Sequence, residues 1–296
     1  MKLSHLFEYV GLRLLMLLTR WLSPQLASLV GNKLGDLTFF VIRIRKQLVL
    51  AHLARVFNHS ADDSNSKYMA RAIYQQLGQT AIEHVRLLTQ RKPKVLDRLT
   101  ISGEEIIVEA RRKGNGVILV TGHFGYWELL GAAVAGIGHP ITVVGKDLHN
   151  PIINHLILEG RERLGMNVIN MTSAPSKILK ELRKNNCIGL LIDQDAGPGG
   201  VFVNFLGIKA STYQGPALLA LRTGAPIVPC FIIRSGPENH QVHFENPIET
   251  TPTGNESEDI KRITQTYTDI LAQYILNYPD HWFWVHRRWK TKAPAT

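Results

Sequence analysis

The chain has 296 residues, of which 45% are hydrophobic and 20% charged, enough apolar side chain to bury a full core and too much to stay disordered. Lys and Arg number 34 against 24 Asp and Glu, a formal charge of +10 that points to an anionic partner: nucleic acid, a membrane surface or an acidic carrier protein. The aromatic residues are not interleaved with basic ones as in an RNA-recognition module, so nucleic acid explains the charge and little else.

Residues 1–22 contain LFEYVGLRLLMLLTRWL. Glu8, Arg13 and Arg20 interrupt the apolar run and no small-residue cleavage site follows, which argues against both a centred membrane span and a secretory leader. The pattern suits a helix lying in a membrane interface, or an ordinary amphipathic core helix. Leu26 to Phe57 continues in helical style, and its apolar Leu37–Ile42 is followed by Arg43, Arg45 and Lys46, charge suited to acidic lipid headgroups. NHSADDSNS at 58–66 reads as a linker and Tyr68–Gln90 as a further helix. The expected organisation is therefore membrane-associating helices over 1–57 and an α/β region over 67–296 that includes the connecting helix.

From Leu99 onward short β-type runs alternate with helices. Strands are predicted at Thr100–Ser102, Val117–Val120, Ile141–Gly145, Asn167–Asn170, Ile188–Ile192, Val201–Phe205, Ile227–Ile233 and Gln241–Glu245. Helices are predicted at Gly103–Lys113, Tyr126–Gly136, Asn150–Leu164, Pro175–Lys184, Tyr213–Thr223 and Ser257–Asn277. This is the α/β class, a largely parallel mixed sheet flanked by helices. Ligands of such sheets bind beyond the carboxyl ends of strands, where His123–Glu128, Lys146–Asn150 and Asp193–Gly200 all fall.

The organising stretch is Gly116–Leu130, GVILVTGHFGYWELL. Its Val117–Val120 run lacks alternation, as a strand buried on both faces does. His123 in the following turn and Glu128 in the first helical turn come within reach of each other, so the carboxylate could fix one ring nitrogen and free the other as a general base. The same residues could instead form a helix-capping turn with an incidental histidine. Asp193 and Asp195, at the end of CIGLLIDQDAGPGG, could hold a metal, orient a base or cap a turn. No second histidine has a recognised ligand spacing, and His149 and His155 qualify only by nearness in sequence. Arg161 and Arg163, in GRERLG, could face a phosphate or an oxyanion, or lie on a solvated helix face with Glu159 and Glu162. Lys209, Ser211 and Thr212 could bind a phosphorylated headgroup, or the hydroxyls could cap a helix. The ending YPDHWFWVHRRWK suits either a membrane interface or an anchor packed on the sheet. Cys187 and Cys230 lack metal or redox spacing and read as buried free thiols.

Taken together, HFGYWE at His123–Glu128, DQDAG with VFVNFLGIKASTYQGPALLALRTGAPIVP, and WFWVHRRWK resemble, in the same order, the late acyltransferases of lipid A biosynthesis, within the lysophospholipid acyltransferase superfamily. That resemblance implies O-acyl transfer from an acyl carrier protein or coenzyme A thioester to a glycolipid hydroxyl, without a metal or redox cofactor. It also implies the cytoplasmic face of a bacterial inner membrane and contact with its anionic surface. By position His123 would be the base and Glu128 its orienting partner, with Arg161 and the Asp193/Asp195 pair at further polar positions of the family. Lys209 and Thr212 join them as candidates for substrate binding or transition-state support. The Phe-Pro-Glu-Gly-Thr block of glycerophosphate acyltransferases has no counterpart; VNFLGIKAS stands in its place. The acceptor stays open to another glycolipid or a lysophospholipid, and a non-catalytic lipid-binding protein is the alternative from a different class.

Overall fold

The computed structural model describes residues 2–60, 62–89 and 94–294. Expectations at position 61, at Gln90 and at the chain ends therefore lie outside the described residues. Four helices come first: α1 (Leu3–Thr19), α2 (Pro24–Leu37), α3 (Lys46–Phe57) and α4 (Ser64–Leu87). A π-helical turn, Thr38–Ile42, ends α2, and Arg43 closes it with φ of 60°. The linker is shorter than its composition suggests, because Asp63 accepts from the Asn65 N–H and starts α4 at Ser64.

The first helices are not a loose preface to the sheet. Gly31 and Gly35 of α2 lie on α4 at Gly78, where a Cβ on Gly78 would sit 2.2 Å from the Gly31 carbonyl oxygen. Phe39, Val49, Leu50 and Leu53 share one core with sheet residues such as Ile118 and Ile188. α4 is also tied to the sheet by buried charge: Glu83 takes Arg234 and His240, and Arg86 pairs with Glu238 at 2.5 Å. α1 packs more thinly, through Met16 on Val85 and Leu88, and leaves Leu3, Phe7, Leu14 and Leu18 exposed, as is Trp21 just after it. Among the described residues no helix is long and apolar enough to cross a membrane.

The remaining elements are β1 (Leu99–Ser102), α5 (Glu104–Arg112), β2 (Val117–Thr121), α6 (Trp127–Gly136), β3 (Ile141–Gly145), α7 (Pro151–Arg163), β4 (Met166–Asn170), α8 (Ala174–Arg183), β5 (Cys187–Leu191), β6 (Val201–Phe205), β7 (Ile208–Thr212), α9 (Gly215–Thr223), β8 (Ile227–Gly236), β9 (Asn239–Phe244) and α10 (Glu256–Asn277). Seven strands make one sheet in the order β1-β9-β8-β2-β5-β3-β4. Every pairing in it is parallel except β8 with β9. β2 lies near the middle, between β8 and β5, which is why all five of its residues are buried. Ile118 and Val120 face the core under α8, α9 and α10, while Val117 and Leu119 face that under α5 and α6. Cys187 and Cys230 are free and buried; burial pushes the Cys187 thiol up to about 11 and Cys230 higher still.

One expectation about local structure does not hold. Lys209 to Thr212 is not the approach to a helix but strand β7, paired antiparallel with β6 in a separate hairpin. Leu206 and Gly207 form its two-residue turn, both at positive φ (53° and 79°), as a primed turn requires. The following helix starts only at Gly215, with no side-chain cap, so neither Ser211 nor Thr212 caps it.

Candidate active site

β2 ends at Thr121, and the chain turns through Gly122, His123, Phe124 and Gly125 before α6 begins at Trp127. Gly125 has φ of +57°, and a Cβ there would lie 2.0 Å from the Ile232 carbonyl oxygen, so the turn requires glycine. The C-terminal segment holds this turn from the other side. The Phe283 N–H donates to the His123 carbonyl at 2.9 Å and the Gly125 N–H to that of His281 at 2.8 Å, forming a short antiparallel bridge between Phe124 and Trp282. Trp282 and Trp284 are fully buried, so this part of the tail is an anchor packed on the sheet, the second of the two readings of its sequence.

His123 Nδ1 lies 2.8 Å from Asp193 Oδ1, and Trp282 Nε1 donates to Asp193 Oδ2, also at 2.8 Å. Asp193 follows β5, the strand beside β2, and is 1% exposed. Its burial would raise its pKa, but the charge and hydrogen bond of His123 reverse this and hold the carboxyl far below the usual range. The carboxylate in turn sets the imidazole. Burial pulls His123 down, yet the attraction and hydrogen bond of Asp193, helped by the Glu128 charge, leave it raised above its ordinary 6.5. With Nδ1–H donating to a carboxylate, Nε2 carries the lone pair. The Gln194 amide nitrogen lies 3.4 Å from that Nε2, and the ring edges against Trp127 at a centroid distance of 5.1 Å.

Glu128 is not the hydrogen-bond partner of His123. It is the second residue of α6 and turns toward α7, where Arg161 grips it through Nε at 2.9 Å and Nη2 at 2.5 Å. The expected contact fails for a geometric reason: Nδ1 already points across to β5, and the fork of Arg161 occupies both carboxylate oxygens. Burial would raise the Glu128 pKa, but Arg161 lowers it below the ordinary value, so the pair is ionised. Arg161 accordingly lies neither on a solvated face nor free to meet an oxyanion with its fork. Behind the pair, His84 is held below its ordinary value chiefly by burial, and its Nδ1 is 3.2 Å from the Tyr126 hydroxyl.

The two aspartates part company. Asp195 accepts from the Thr291 N–H at 3.2 Å and hydroxyl at 2.8 Å, fastening the tail rather than joining His123. Thr212 is buried and its Oγ1 accepts from Arg288 Nη2 at 2.5 Å, while Lys209 is exposed on the hairpin opposite Asn204. Neither bonds to His123 or Glu128. His149 and His155 meet Glu8 and Glu159 on the surface. Among the described residues no three His, Cys, Asp or Glu side chains gather as they would to hold a metal ion.

An apolar cavity runs between α6 and the sheet, lined by Leu130, Val134, Ile141, Met166, Gly189 and Cys230 among others, and it meets His123 through Trp127. Trp127, Glu128 and Arg161 form its polar end. Glycine at 189 leaves the room, since even a Cβ there would press on Val143 at 3.2 Å.

Sequence reasoning missed Gln194, although it stands inside DQDAG, because amides carry no titration signal. It also missed the bond from Trp282 to Asp193, which joins residues 89 positions apart.

A sequence model described as bacterial lipid A biosynthesis acyltransferase matches residues 1–291. The phosphatidylinositol mannoside acyltransferase of Mycolicibacterium smegmatis is 28% identical over 211 residues, covering 70% of this chain and 67% of that one. The lipid A biosynthesis lauroyltransferase of Escherichia coli is 25% identical over 288 residues, covering 96% and 91%. The crystal structure of the 1-acyl-sn-glycerophosphate acyltransferase PlsC from Thermotoga maritima superposes with a TM-score of 0.40 at 13% identity, over 85% of this chain and 98% of that one. With a match that runs through the helices, the sheet and the tail, the chain belongs to the bacterial lipid A biosynthesis acyltransferase family.

Proposed function

We propose that this protein moves a fatty acyl group from a thioester, carried by acyl carrier protein or coenzyme A, to a hydroxyl of a membrane glycolipid. The observation that carries the reading is the His123–Asp193 pair, set at the carboxyl end of the central strand beside an apolar cavity. His123 Nε2 takes the acceptor's hydroxyl proton, and the oxygen attacks the thioester carbonyl. Asp193 holds the ring in the tautomer that leaves Nε2 basic and stabilises the imidazolium that forms. The tetrahedral oxyanion needs a donor, for which the Gln194 amide is placed near Nε2. Collapse breaks the C–S bond, and the imidazolium proton passes to the departing thiolate. His123 and Asp193 complete this cycle with no acyl-enzyme and no cofactor.

The cavity would take the acyl chain, with the Glu128–Arg161 pair closing its polar end. Glu128→Gln should cost about 2 kcal/mol of stability, because it leaves a half-buried guanidinium without its carboxylate. Chemical denaturation reads this loss, and Arg161→Gln added to Glu128→Gln should restore part of it. Gly189→Val should shorten the cavity, raising KM for long acyl donors by roughly tenfold or more while sparing short ones. A KM that rises equally for all chain lengths would contradict an acyl path along β5.

The exposed apolar face of α1, with Val41, Ile42 and Ile44 exposed beside Arg43, suits a helical region lying on the cytoplasmic face of a bacterial inner membrane. Acceptors of lipid A type and phosphatidylinositol mannoside type both fit, since relatives bear both names. Incubating the purified protein with labelled acyl carrier protein and a panel of glycolipids, then weighing the product, tests the reading. Free fatty acid as the sole product would contradict it.

A further inference from the structure

The groove between α1 and α7 takes no part in the chemistry above. Arg13 and Arg20 stand seven residues apart on one wall, two helical turns along the same face, with Leu14 and Leu17 beside them. Arg163 closes the groove from α7 and Leu88 lines it, around an open volume of about 790 Å³. At helical spacing both α1 arginines fall between the inward Met16 and the outward Leu17. They therefore mark the line along α1 where its buried face gives way to its exposed apolar face. Among the described residues, no ion pair engages Arg13, Arg20 or Arg163. Glu159 and Glu162 border the adjoining cleft, and Glu159 is spent on His155. Arg163 gives Nη2 to the Leu88 carbonyl at 3.2 Å and Nε to that of Glu159 at 3.4 Å, which leaves Nη1 for a ligand.

We propose that this groove seats the phosphate headgroup of an anionic membrane phospholipid, whose acyl chains leave along Leu14 and Leu17 into the bilayer. Arg13 and Arg20 offer planar forks for phosphate oxygens, Arg163 adds its Nη1, and the leucines accept the first methylenes. The inference rests on the reading of α1 as a membrane-lying helix, and it adds a seat for one lipid to what would otherwise be diffuse attraction.

The test uses the full chain with vesicles of phosphatidylcholine, alone and mixed with phosphatidylglycerol, and with soluble dihexanoyl phosphatidylglycerol. Binding to the mixed vesicles should exceed binding to phosphatidylcholine, and the short-chain lipid should bind saturably at physiological salt. Diffuse attraction gives up roughly fivefold for any lost basic residue near the surface. Arg13→Gln and Arg163→Gln should each lose more than that and abolish saturation, whereas Arg43→Gln, which removes the same charge outside the groove, should not. Equal losses at Arg43 and Arg163, absent saturation in the wild type, or displacement by inorganic phosphate at concentrations no higher than those at which the short-chain lipid binds would overturn the site. Failure to bind either vesicle would overturn the membrane reading and the site together; binding to both without the groove's contribution overturns the site alone.

Discussion

His123→Ala is expected to lower kcat/KM for acyl transfer by on the order of 10²–10⁴-fold, the range a positioned general base contributes. The ring makes few contacts that the fold depends on: it bonds to Asp193, approaches Gln194, edges against Trp127 and lies near the Phe283 ring. Its loss does strip the buried Asp193 of one of two donors, which costs about 1–3 kcal/mol of stability. His123→Gln separates the two effects, since an amide can still donate to Asp193 but cannot take a proton. Both variants should lose activity by that factor, and the glutamine form should melt closer to the wild type. Substantial turnover by a folded His123→Gln protein would remove His123 from the chemistry.

Asp193→Asn should cost a comparable factor, up to about 10⁴-fold, while the fold persists. Asparagine can present its N–H to Nδ1, which drives the proton onto Nε2 and leaves no lone pair toward the acceptor hydroxyl. The binding of the acyl donor does not depend on this tautomer, so the loss should fall on kcat and leave KM within a few-fold. Steady-state kinetics over a range of donor concentrations reads the split. A variant that loses affinity for the donor and keeps kcat would make Asp193 a scaffold residue.

Much of the site was legible from residue order. The unbroken Val117–Val120 run placed a central strand, and the change from apolar residues to Gly122 and His123 placed the imidazole at its carboxyl end. Asp193 was also within reach, because the loop after Ile188–Ile192 had to open on the same side of a parallel sheet. What the sequence could not show is which carboxylate meets the ring. Glu128 is five residues from His123 and Asp193 is seventy, yet β5 is hydrogen-bonded to β2, and that proximity arises only from strand order. Arg161 was misplaced for the same reason, since its partner lies on another helix and not among its helical neighbours Glu159 and Glu162. The β6–β7 hairpin escaped notice because its turn is Leu206–Gly207 rather than a sequence with two recognisable turn residues. The tail's tryptophans carried no sign of whether they would face lipid or protein; the hydrogen bond of Trp282 to buried Asp193 decides it for that residue.

A direct measurement is the titration of His123 in histidine-labelled protein by NMR, with its signal assigned through His123→Gln. Asp193 raises His123, so the ring should stay protonated to a pH above 6.5 and become a competent base only beyond that point. In Asp193→Asn the supporting charge is gone while burial persists, and the titration should move below 6.5. In Glu128→Gln it should fall only slightly and remain well above that of Asp193→Asn. A midpoint that drops in Glu128→Gln and holds in Asp193→Asn would contradict the pairing on which the proposed mechanism stands.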